Sequence, residues 1–154
     1  MTLIELIHTL CQTGQRNSAG LWLVPADQIG KETSVITSLP RLVDVVDLRK
    51  AALRLVPAGS RFAGIDQAKI VTCLDDALAS EARTDCAIVL QLELLLSRLG
   101  RGERDSVWMY FRESYIHRPK KIVLAIPCLA VGELIEEDEL LNWDQNQRLQ
   151  RETF

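Results

Sequence analysis

Apolar residues in this chain come in short unbroken runs, not in alternation. Residues 21–24 (LWLV) form one run, ended by Pro25; residues 42–48 (LVDVVDL) form a second, rich in valine. Residues 86–90 (CAIVL) form a third, and residues 121–126 (KIVLAI) a fourth, again ended by a proline. Runs of four to eight apolar residues without a period of two suit strands covered on both faces, as in a parallel sheet. A weaker fifth candidate is 132–135, although the surrounding GELIEEDELL fits a helix equally well.

Helical periodicity fills the intervals. Residues 65–82 carry Ile70, Val71, Leu74 and Leu78 on one face, with Gly64 and Asp66 as start signals. Residues 105–117 follow the turn GRGERD, with Asp105 or Ser106 as cap. Residues 48–56 give a third helix, which stops at Pro57-Ala58-Gly59. Within residues 1–20, Leu3, Ile4, Ile7, Leu10 and Cys11 share one face of an amphipathic helix. Strands that alternate with helices predict an α/β fold, a parallel sheet flanked by helices. The expected organisation is one domain over 1–154, with a polar tail at 141–154.

Composition narrows the function. The chain has 154 residues, 47% of them hydrophobic and 25% charged, with a net charge of −3. That is the profile of a globular domain with a sizeable core, not of a polybasic nucleic-acid binder. No apolar run is long enough for a transmembrane helix, and the first ten residues hold Glu5 without a basic flank, unlike a signal peptide. Cys11, Cys73, Cys86 and Cys128 lie far apart, and His8 and His117 are the only histidines. That pattern predicts thiols in a reducing cytoplasm, not a zinc site. Neither histidine stands in a recognisable nucleophile motif.

The stretch LWLVPADQIGKETSV, residues 21–35, carries the most specific chemistry. It reads as a strand, a loop and the start of a helix, with Gly30-Lys31 where a phosphate-binding loop would hold them. In a Walker A motif, glycines let backbone N–H groups curl around phosphate, lysine neutralises the outer phosphates, and a hydroxyl holds magnesium. Here the first glycine position is Pro25, the hydroxyl position is Glu32, and Thr33 comes one step late. The candidate cofactor residues are Gly30, Lys31 and Thr33, and the ligand they would take is ATP with magnesium. Pro25 offers no N–H, and Glu32 sets a carboxylate beside the phosphates. After the 86–90 run, Leu90 and Gln91 stand where a magnesium-holding acid is expected, with Glu93 the nearest acid. Glu93 reads either as a remote magnesium acid or as a salt-bridge or capping residue of the next helix. Both halves of the motif depart at once, so the expectation is a chain with neither catalysis nor cofactor.

The order of these segments resembles BrxF, the small P-loop protein of bacteriophage-exclusion (BREX) defence systems, from about residue 21 to about 127. The resemblance lies in the strand with Gly30-Lys31 and in VDVVDLRKAALRLVP, a strand that runs into a basic, leucine-rich helix. It continues in AIVLQLELLL, with Leu92-Glu93-Leu94, and in RPKKIVLAIPC. It implies a P-loop NTPase-like fold, a degenerate nucleotide site and partner proteins in a bacterial anti-phage system.

Two surfaces complete the expectations. Residues 98–121 are basic, with Arg101, Arg104, Arg112, Lys120 and Lys121 interleaved with Trp108, Tyr110, Phe111 and Tyr115. Cations with aromatics can follow a phosphate backbone and stack bases. The alternative is a core stripe of Trp108, Phe111 and Tyr115 with solvated arginines around it. Trp143, beside the acidic stretch 133–140, reads as an exposed contact residue. The leading expectation is an accessory or scaffold protein that binds other proteins, with self-association as a further mode. A weak ATP-binding switch and a DNA-binding accessory are the alternatives.

Overall fold

The computed structural model describes residues 1–55, 64–81 and 83–151. Five parallel strands form one sheet in the order β2-β3-β4-β1-β5. They are β1 (Ala19–Val24), β2 (Asp44–Asp47), β3 (Cys86–Leu90), β4 (Lys121–Pro127) and β5 (Leu149–Gln150). The uninterrupted apolar runs explain the central position of β1, β3 and β4: all six β1 residues are buried, as are residues 86–89 and 122–126. β1 and β4 end level, with Val24 in register with Pro127. Each then meets a proline and a short 3₁₀ turn, Ala26–Gln28 after β1 and Cys128–Ala130 after β4.

Helices cover both faces. α1 (Leu3–Leu10) and α2 (Glu32–Thr37) pack on one face, in a cluster with Trp22, Val24, Ile88, Val123 and Ala125. α3 (Leu48–Arg54), α4 (Gln67–Glu81), α5 (Leu92–Leu96), α6 (Arg101–Met109) and α7 (Glu137–Gln145) build the larger core on the other face. The helix after β1 therefore lies opposite the helix after β4. A crevice opens at the carboxyl ends of β1 and β4, the place where open α/β sheets take ligands.

Local chemistry sets the element ends. Thr2 and Glu5 form a reciprocal capping box on α1. The Asp47 carboxylate accepts the Lys50 N–H at 3.1 Å and starts α3, so its role is that of a cap. α4 buries Ile70, Cys73, Leu74 and Ala77, spaced i, i+3, i+4, i+7; Val71 and Leu78 are only partly covered. α6 continues into a π-helical turn, Tyr110–Ser114, closed by the Tyr115 N–H to the Tyr110 carbonyl at 3.0 Å.

Three expectations are corrected. Residues 132–135 form no strand beyond an isolated Val131–Ile135 bridge; the fifth strand is Leu149–Gln150, further along. Residues 141–150 of the expected polar tail are built into the fold, because α7 runs to Gln145 and β5 pairs with Leu21 and Trp22, while residues 152–154 lie outside the described residues. Trp143 is not an exposed contact residue: it is 0% exposed in the main core. Its ring lies 4.5 Å from the Arg148 guanidinium carbon, and its indole N–H donates to Glu139 Oε1 at 3.1 Å. A polar neighbourhood hid it, since the α7 residues other than Leu140 and Trp143, which meet the core, and the exposed Leu141 are polar.

Candidate functional site

The loop after β1 departs from a phosphate cradle in its hydrogen bonds as well as its residues. Pro25 is buried and ends the strand, and the 3₁₀ turn follows at once. The Gln28 N–H is donated to the Pro25 carbonyl and the Lys31 N–H to the Gln28 carbonyl, both at 2.9 Å. Gly30 takes φ +84°, and a Cβ there would meet nothing within 4 Å, so the glycine serves the turn. Lys31 precedes α2 and is exposed, as is Thr33; α2 is six residues long.

Across the carboxyl edge, β3 leads into α5 through Gln91, which adopts a left-handed φ of +69°. Such a conformation in a non-glycine residue costs energy and is held by its surroundings. α5 therefore begins immediately, and Glu93 falls in its first turn. Glu93 makes neither the cap, which Gln91 occupies, nor a salt bridge among the described residues: its Oε2 is buried without a hydrogen-bond partner. Burial first, and then the charges of Glu32 and Asp47, push the Glu93 carboxyl above its ordinary range. The fold thus brings Glu32 and Asp47, on the segments after β1 and β2, within electrostatic reach of Glu93, which follows β3. Glu32 sets its carboxylate directly beside the exposed Lys31, which makes this loop unfavourable for a bare phosphate. Magnesium is commonly held by one or two carboxylates, and Glu93 supplies one buried oxygen without a partner. No group of three or more His, Cys, Asp or Glu among the described residues is arranged to hold a metal.

The crevice between β1 and β4 holds a cleft of about 720 Å³. Leu23, Pro25, Ala26, Cys128 and Val131 form its apolar wall, and Asp27, Glu137 and Arg151 its polar rim. Arg151 lies 3.5 Å from Glu137. Gly30, Lys31 and Thr33 are not among its lining residues. Sequence reasoning did not find this cleft, although two proline-terminated strands were its visible signal.

The basic run 98–121 is largely committed inside the molecule. Arg112 bonds Glu139 at 2.7 Å and Glu113 at 2.8 Å. Lys120 bonds Asp44 at 2.6 Å, and Lys121 bonds the Ser18 hydroxyl at 3.2 Å. Arg104 donates to the Leu99 carbonyl at 2.7 Å, and Arg118 stacks on the Tyr115 ring. Arg101 remains at the surface, 3.7 Å from Glu136. Trp108, Phe111 and Tyr115 are all buried and form the core stripe, so they offer no face for stacked bases. Comparison with known protein families, with curated proteins and with solved structures finds no match to this chain.

Proposed function

We propose that this chain is a P-loop-like accessory protein that works by binding other proteins and not by hydrolysing nucleotide. One observation carries the reading: Glu32, directly after Gly30-Lys31, and Asp47 both act electrostatically on the buried Glu93, where a working phosphate site needs a hydroxyl and a single metal-holding acid. Protein binding draws support from large apolar side chains at the surface. Leu129, next to cleft residue Cys128, is 72% exposed, and Leu42, just before the edge strand β2, is 85% exposed. The setting we propose is a bacterial anti-phage assembly of the BREX type, which rests on the resemblance in segment order.

Coexpression with the products of neighbouring genes tests this. The expected result is a complex that survives gel filtration and is unchanged by Lys31→Ala. A complex that forms only with ATP and magnesium, and not with Lys31→Ala, would overturn it in favour of a second reading. That reading is a nucleotide switch, and the unpartnered buried Oε2 of Glu93 favours it. Lys31 would then meet phosphate, and Glu32, Thr33 and Glu93 would hold magnesium. The DNA reading gains no comparable support, because most cations it needs already hold internal partners.

A further inference from the structure

Two helices carry the same exposed pattern with opposite charge. On α3 it is Arg49, Lys50 and Leu53; on α7 it is Glu137, Asp138 and Leu141, and all six residues are exposed. Both triplets are spaced i, i+1, i+4, so each leucine lies one turn beyond a charged pair on the same side of its helix. Leu53 is 56% exposed and Leu141 53%. The core takes the other sides: α3 buries Leu48, Ala51 and Ala52, and α7 buries Leu140 and Trp143. Among the described residues Arg49, Lys50 and Asp138 form no ion pair. Glu137 pairs with Arg151 at 3.5 Å, but both side chains are more than half exposed, and such a contact is weak.

We propose that these strips are the two halves of a self-association contact, in which the α3 strip of one copy docks on the α7 strip of another. Laid side by side and parallel, the helices set cation against anion and leucine against leucine. One molecule cannot bring its own strips together. α3 packs against β2 and α7 against β5, which are the two edge strands of the sheet. Four strand spacings, roughly 19 Å, separate those edges. A second copy removes that separation.

The surroundings of the α7 strip select a cationic helix. Glu137 lines the cleft, whose wall is apolar and whose rim also holds the exposed Asp27. Leu129, next to cleft residue Cys128, is 72% exposed. The acidic strip therefore borders an apolar recess and is not a flat solvated face. Opposite charge across a contact steers the encounter and sets its register, while the exposed leucines supply the area to bury. The contact does not depend on the proposed binding to other proteins.

Sedimentation velocity of the full chain, over a concentration series up to about 1 mM, tests this; that range reaches even a weak contact. The expected result for wild type is a sedimentation coefficient that rises with concentration. Arg49→Glu combined with Lys50→Glu sets acid against acid and should leave the chain monomeric throughout. Glu137→Lys combined with Asp138→Lys sets cation against cation and should do the same. Mixed in equal amounts, the two variants should associate again, because each reversed strip then meets its opposite. Should the α7 variant not fold, wild type and the α3 variant decide alone. A wild-type chain that stays monomeric over the whole series would overturn the proposal. Association that survives either reversal, or a mixture of two folded variants that stays monomeric, would do the same.

Discussion

Single side chains with unusual surroundings give the sharpest expectations. Burial works to raise the Asp44 carboxyl, but Lys120, the Thr84 hydroxyl and the N–H groups of Arg83 and Thr84 outweigh it and hold the group at about 2. A folded value below the unfolded 3.8 means that this stabilisation is complete above pH 4 and is lost as pH falls toward 2. Asp44→Asn should therefore lower stability by about 2 kcal/mol at pH 7, from the size of the shift. Urea unfolding should show the gap to wild type narrowing between pH 4 and pH 2. Glu93 behaves in the opposite sense. Its raised value means that ionising it opposes folding, so Glu93→Gln should raise the melting temperature, with a gain that is small at pH 4 and grows as pH rises above 4.5. A Glu93→Gln variant that melts lower at pH 7 would show that the carboxylate has a partner. A cap such as Asp47 acts over only three residues and so leaves a local signal. The partners of Asp44 lie 39 to 76 residues away, beyond any local signal.

At the scale of elements, the apolar runs placed β1, β2, β3 and β4 within two residues, because strands covered on both faces leave a continuous apolar record. β5 left no such record. Two residues long, it follows Arg148, which is only 3% exposed. The Arg148 fork donates to the carbonyls of Ala19, Phe111 and Arg112, so it closes the π-helical turn onto β1. Arg148→Lys keeps the charge and loses the fork; it should cost about 2 kcal/mol or more, from hydrogen bonds to a charged group left unmade. Calorimetry would register this as a lower melting temperature. The docking of α1 depends on Gly20, where an added Cβ would come within 2.9 Å of a Leu10 methyl and 3.0 Å of a Leu6 methyl. Gly20→Val should destabilise by about 1–3 kcal/mol, the usual cost of overpacking. Unchanged stability would mean that α1 can lift from the sheet without loss.

Across the whole molecule, the parallel sheet sends its strand ends to one edge, where both candidate sites lie. The loop after β1 was legible as a motif because Gly-Lys follows a strand and precedes a helix. Its acidic surroundings were not legible in full, since Glu32, Asp47 and Glu93 converge only when β1, β2 and β3 lie in one sheet. The cleft needs β1 and β4 side by side, a pairing of segments about 100 residues apart. Among the described residues, no helix is long and apolar enough to cross a membrane.

The most direct test of the central claim is thermal unfolding with and without millimolar ATP and magnesium, on wild type and on Lys31→Ala. A ligand that binds only the folded state must raise its melting temperature. The account predicts no shift in either protein. A rise of several degrees in wild type, absent in Lys31→Ala, would contradict it and make the Gly30-Lys31 loop a working nucleotide site.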